Sequence, residues 1–121
     1  METGSLIEIR EYTGEDFKRL VESDGWSVAM LRRSDRFSEF GVLERHLKTD
    51  EVFVLLSGKA TLYVHDDAVD RTESTEMQPL KVYNVPRNTW HHIVVSEDAS
   101  VLVVENRGTA KENTERRNLK C

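Results

Sequence analysis

A carboxylate set in an apolar strand does most to narrow what this chain can fold into. The stretch Glu44 to Gly58, ERHLKTDEVFVLLSG, reads as a strand, a tight turn and a second strand. Side chains alternate between the two faces of a strand, so Glu44 and His46 share one face. In the second strand Glu51, Phe53 and Leu55 share a face, while Val52, Val54 and Leu56 take the other. A strand apolar on both sides needs cover on both, from another layer or from a second subunit. Glu51 then lies in an apolar row, where a carboxylate is costly unless it is paired or bound to a cation.

The neighbouring sequence repeats the strand pattern. Phe40 to Leu47, Glu51 to Leu56 and Lys59 to His65 follow in quick succession, with Ser57-Gly58 as a hairpin turn. Asp66-Asp67 and Asp70 to Glu76 read as an exposed loop and a weak strand. Lys81 to Val85, His91 to Val95 and Ser100 to Asn106 complete the set. About eight short strands separated by turns predict an all-β sandwich or barrel.

Ahead of them, Leu6 to Ile9 reads as a first strand. Thr13 to Val21 reads as a short N-terminal helix, with Thr13 as its cap and Phe17, Leu20 and Val21 as its apolar stripe. Asp24-Gly25 is a turn signal, Trp26 to Leu31 is rich in β-formers, and Arg32 to Glu39 reads as a charged loop or lid. The tail, 107–121, is almost wholly polar and is expected to be a solvated or partner-held segment.

The 121 residues suit one domain, 1–121, with a barrel core at about 26–106 and an N-terminal strand and helix over 5–22. A net charge of −5, with Lys and Arg spread along the chain, excludes a dedicated nucleic-acid binder. No apolar run approaches the ~18–20 residues that cross a bilayer. The one cysteine, Cys121, rules out an intrachain disulfide, and the N-terminus has no basic-then-apolar signal pattern; both lead to a cytoplasmic expectation.

His91, in the stretch Val85 to His91 (VPRNTWH), shares its face with Ile93 and Val95. Two imidazoles and two carboxylates converging inside a barrel are the donors that first-row divalent ions accept. The candidate metal ligands are therefore Glu44, His46, Glu51 and His91. Phe53, Leu55, Tyr63 and Tyr83 are candidates for lining a ligand pocket. His92 is expected to point outward, His65 to be an exposed turn residue, and Trp90 to fill an outer apolar layer.

These residues resemble the cupin superfamily. Its first motif has a His-x-His pair, three or four residues, a Glu, six residues and a Gly. Here Glu44 takes the first His position, His46 the second, Glu51 the Glu and Gly58 the Gly. Its second motif has Pro-x-Gly, two residues and a His; Pro86 and His91 match, and Asn88 replaces the Gly. Ser38, Leu80 and Val95 stand at three further positions where the family has Gly, Gly and Asn. The likeness covers about Glu39 to Asn106.

The resemblance implies a double-stranded β-helix, or jelly-roll barrel, with a divalent metal. Two His and two Glu, where the family commonly offers three His and one Glu, lean towards Mn, Fe or Zn. Alternatively, His46, Glu51 and His91 alone bind the metal and Glu44 transfers protons beside it. The implied activity is a metal-dependent isomerase, epimerase or lyase acting on a polar small metabolite such as a carbohydrate or organic acid. An Fe(II) dioxygenase and a non-catalytic small-molecule-binding or sensing barrel are the alternatives. A homodimer is the expected assembly, and no nucleic-acid or membrane partner is expected.

Overall fold

In a computed structural model, which describes residues 7–106 and 113–118, the chain is built almost entirely of antiparallel strands. They are β1 (Asp16–Ser23), β2 (Trp26–Arg32), β3 (Val42–His46), β4 (Glu51–Ser57), β5 (Ala60–Asp66), β6 (Arg71–Glu76), β7 (Val82–Val85), β8 (Trp90–Val95), β9 (Ser100–Glu105) and β10 (Thr114–Asn118). The helical content among the described residues is one 3-10 turn, Asp35–Phe37. Among the described residues no helix is long and apolar enough to cross a membrane.

Two five-stranded sheets face each other, in the orders β1-β2-β9-β4-β7 and β10-β3-β8-β5-β6. Alternation along each strand sends one row inward. Ala29 and Leu31, Phe53 and Leu55, and Val101 and Val103 come from the first sheet; Leu62, Ile93 and Val95 come from the second. These residues fill the closed half of the barrel and leave its other end open.

The N-terminal helix expected over Thr13 to Val21 is a strand instead. β1 pairs with β2 along its length, closed by the Asp24-Gly25 turn, where Gly25 takes φ 83°. Asp-Gly between two strand-forming runs is a strong hairpin signal, and here it outweighs the three-residue helical stripe. A register shift between Arg19 and Val21 accounts for that stripe: the bulge carries Val21 onto the face opposite Phe17 and Arg19. Ile7 to Ile9 form no strand, and Leu6 lies outside the described residues.

The tail holds a second correction. Residues 114–118 are no solvated segment: β10 pairs antiparallel with β3, Thr114 opposite His46 and Arg116 opposite Glu44. Residues 107–112 and 119–121, with Glu112 and Cys121, lie outside the described residues. His65 is also buried rather than exposed, its Nδ1 2.8 Å from Thr72 Oγ1.

Gly58 carries the turn between β4 and β5 at φ 77°, against the Ala99 backbone, where a Cβ would collide. Gly58→Ala is therefore expected to destabilise the fold by about 2 kcal/mol or more, read as a lowered thermal midpoint. Asn88, also left-handed at φ 65°, is the contrasting case. Asn88→Gly is expected to leave the midpoint within a few degrees.

Candidate metal centre

Three strands and three pinned turns build the site. β3 turns Glu44 and His46 inward, β4 opens with Glu51, and β8 sets His91 opposite Glu44. The chain between β3 and β4 is clamped from outside: the Leu47 N–H donates to the Asn113 carbonyl (2.7 Å) and the Lys48 N–H to Asn113 Oδ1 (2.7 Å). Asp50 accepts from the Arg87 N–H (2.9 Å), and the Asn88 N–H donates to the His46 carbonyl (2.7 Å). The left-handed turn at Asn88 thus ties the approach to His91 onto the strand that carries His46.

Glu51 Oε1 lies 2.9 Å from His46 Nε2 and 3.1 Å from His91 Nε2. Glu44 Oε1 stands 3.8 Å from His46 Nε2. One donor atom from each of the four residues falls within 4.8 Å of all the others. His46, Glu51 and His91 are buried, and Glu44 sits half-buried nearer the opening.

The tautomer of His91 tests whether a cation fits. Its Nδ1 lies 2.9 Å from the Thr89 carbonyl, which can only accept, so Nδ1 carries the hydrogen. In the neutral ring Nε2 then presents a lone pair, aimed at a carboxylate oxygen that also only accepts. Two acceptors 3.1 Å apart require a cation between or beside them, either a proton on Nε2 or a metal ion. Imidazole nitrogen and carboxylate oxygen are donors that a divalent metal ion accepts.

Charge organises the same cluster. Burial would raise the Glu51 carboxyl, but hydrogen bonds and attraction from His46 and His91 outweigh it and take the group down to about 2. Burial pushes both imidazoles down, yet the Glu51 hydrogen bond and charge leave each above its ordinary value. Glu105, buried beneath Glu51, is pushed up to about 7, first by burial and then by the Glu51 charge. Arg19 Nη2 meets Glu105 Oε2 at 2.9 Å and partly offsets that rise.

The cluster opens into a cavity of about 740 Å³. Phe17, Phe37, Phe40 and Phe53 form much of its apolar wall, and Arg19, Arg36 and Arg116 bring positive charge to it. Arg116 Nε donates to Glu44 Oε2 at 2.9 Å, leaving Oε1 turned towards the imidazoles. Thr114 Oγ1 lies 3.0 Å from His46 Nδ1 and fixes that ring.

The expected ligands Glu44, His46, Glu51 and His91 come together. Of the four residues expected to line a pocket, Phe53 does so. Leu55 is packed in the core instead, and Tyr63, on the face of β5 opposite Leu62, meets Phe40 with rings tilted by 39° and centroids 4.7 Å apart. Tyr83, beside Phe53 on the neighbouring strand, packs against the core with its hydroxyl accepting from the Gln78 N–H. His92 lies between Phe37 and Phe40, lowered by burial, and Trp90 is covered by the Arg45 and Arg117 guanidiniums.

Glu105, Arg19, Thr114 and Arg116 were not anticipated. Glu105 was findable: it shares the inward parity of Val101 and Val103, as Glu51 shares that of Phe53 and Leu55.

Among solved structures the chain is similar to a cupin-2 domain protein from Shewanella frigidimarina, at TM-score 0.62 and 18% identity over 79% of this chain and 85% of that one. It is similar to an RmlC-like cupin with a double-stranded β-helix fold from Methanocaldococcus jannaschii, at TM-score 0.60 and 14% identity over 85% and 92%. It is also similar to the 3,4-ketoisomerase QdtA from Thermoanaerobacterium thermosaccharolyticum, solved with TDP-4-keto-6-deoxyglucose, at TM-score 0.61 and 17% identity over 73% and 63%. No protein-family model matches the sequence. No curated protein matches it either.

Two outcomes follow for the cluster. In chelator-stripped protein the raised imidazoles stabilise the fold fully below about pH 6.5, and that contribution is lost as pH rises through their folded values. Glu105, raised to about 7, acts in the same direction, whereas the Glu51 contribution is lost only as pH falls from about 4.5 towards about 2. The stripped protein is thus expected to melt lower at pH 9 than at pH 6, and saturating Zn(II) or Mn(II) to close that gap. Thr114→Val, which frees the His46 ring, is expected to weaken metal affinity about tenfold by titration calorimetry.

Proposed function

On a cupin fold whose open end holds two imidazoles and two carboxylates, we propose a metal-dependent enzyme, an isomerase, epimerase or lyase acting on a polar small metabolite such as a carbohydrate or organic acid. The observation that carries this reading is the split of the cluster into two parts. His46, Glu51 and His91 form a buried triad around one carboxylate oxygen. Glu44 stands apart at the cavity side, its second oxygen held by Arg116.

His46, Glu51 and His91 would hold Mn, Fe or Zn, with Thr114 and the Thr89 carbonyl orienting the rings. A bound ion would polarise a carbonyl or hydroxyl oxygen of the substrate. Glu44, fixed at the mouth by Arg116, is placed to take a proton from a carbon beside that oxygen and to return it. The aromatic wall excludes water from one side of the cavity, while Arg19 and Arg36 offer positive charge to an anionic group on the substrate. A ketoisomerase of the same fold was solved in complex with TDP-4-keto-6-deoxyglucose, which supports a carbohydrate as substrate class. The lone cysteine, Cys121, agrees with a cytoplasmic setting.

Elemental analysis of protein purified without added metal is expected to find about one Mn, Fe or Zn per chain; its absence from all preparations would remove the reading. With metal present, hydrogen–deuterium exchange at carbons beside the carbonyl, followed by NMR across a panel of keto-sugars and keto acids, reports the proton transfer directly. Glu44→Gln is expected to keep the metal and slow that exchange at least about 100-fold. Loss of metal and exchange together would make Glu44 a ligand only.

A further inference from the structure

All four phenylalanines of the chain line one cavity, the one that Glu44, His46, Glu51 and His91 also line. They reach it from four separate places: Phe17 from β1, Phe37 from the 3-10 turn, Phe40 from the chain just beyond it, and Phe53 from β4. Phe53 meets His91 in a T-shaped contact, with ring centroids 6.0 Å apart, so the aromatic wall begins beside the cluster itself. Leu31 and Ile93 complete the apolar side. Two guanidiniums extend it: Arg19 lies over the Phe17 ring at 5.3 Å and Arg36 over the Phe37 ring at 4.5 Å. A guanidinium is itself flat and stacks on rings, so this side of the cavity is tiled with planes.

The same lining is poor in neutral hydrogen-bonding groups. Among the described residues it contains no Ser, Asn, Gln or Tyr. Thr114 and His92 are the exceptions, and both are committed: Thr114 Oγ1 lies 3.0 Å from His46 Nδ1, and the His92 ring is held between Phe37 and Phe40. The charged side chains largely serve one another, Arg19 with Glu105 and Arg116 with Glu44, each at 2.9 Å. A polyhydroxylated body would lose water from several hydroxyls here and find few partners for them, and each unpaired hydroxyl weakens binding. A flat apolar body has no such groups to satisfy and gains ring contacts. The volume, about 740 Å³, suits a ligand well beyond the size of a three-carbon acid.

We propose that the substrate is an aryl-bearing keto acid, its flat ring against the phenylalanines and its carbonyl end towards the cluster of carboxylates and imidazoles. The carbonyl end rests on the metal-dependent function proposed above; the ring rests on the wall alone. Of the two substrate classes in that reading, the lining favours the organic acid over the carbohydrate. Arg36 is the guanidinium placed to meet the carboxylate: its side chain is 53% exposed, and its ion pair with Asp16 is loose, at 3.8 Å.

Titration calorimetry with phenylpyruvate, pyruvate and fructose, each on Zn(II)-loaded and on chelator-stripped protein, tests this. Phenylpyruvate is expected to bind at least about tenfold tighter than either of the others in both forms. Phe17→Leu and Phe40→Leu lie at half-buried positions, where an apolar side chain of similar size keeps the fold. Each is expected to reduce the ratio of phenylpyruvate to pyruvate affinity at least about threefold. A ratio below about tenfold in the unaltered protein overturns the proposal. So does tighter binding of fructose, phenylpyruvate binding too weak to measure, or a ratio that either variant leaves unmoved. Failure of the metal-dependent function would show elsewhere, as metal-free preparations or absent proton exchange, and would leave the ratio in the stripped protein intact.

Discussion

One carboxylate oxygen, Glu51 Oε1, holds the functional end of this molecule together. It lies within 3.1 Å of two imidazole nitrogens, one 5 residues before it in the chain and the other 40 residues after it. Each of the three groups is buried, and none is stable there alone. Their mutual attraction offsets the cost of removing them from water, and that requirement fixes how β3, β4 and β8 meet. The apolar core supplies most of the folding free energy, but it does not decide where the open end of the barrel lies. The charged cluster does.

Around that contact the chain uses backbone turns to hold side chains. The carbonyl of Thr89 fixes the tautomer of His91, and the left-handed Asn88 delivers its N–H to the His46 carbonyl. Asn113 grips the β3–β4 turn through both its backbone and its side chain. None of these groups would touch a substrate. They set the directions in which the four donors point, and Arg116 does the same for Glu44 by occupying the oxygen that faces away from the cluster.

Much of this was legible in the amino-acid order, for a definite reason. Alternation with a period of two is strict, so an ionisable residue in an apolar row marks a site, and Glu44, His46, Glu51 and His91 were all marked in that way. The same rule, applied to Val101 and Val103, exposes Glu105. The errors came where local signals competed. Phe17, Leu20 and Val21 imitate a helical stripe because a bulge inserts one residue into β1, and the Asp24-Gly25 turn was the stronger cue. The strand β10 carries no apolar alternation, since Thr114 and Arg116 face a polar site and Glu115 and Arg117 face solvent and Asp67. Leu55 shows the limit of the rule: parity gives the face of a strand, not the depth along the barrel.

The pairing of β10 with β3 ties the cluster to chain far from it in sequence. Thr114 and Arg116, which hold the His46 ring and Glu44, lie 68 and 72 residues beyond the groups they orient. Both sit on a strand at the edge of its sheet. Fraying of that one edge would release both restraints together while the central strands stay paired.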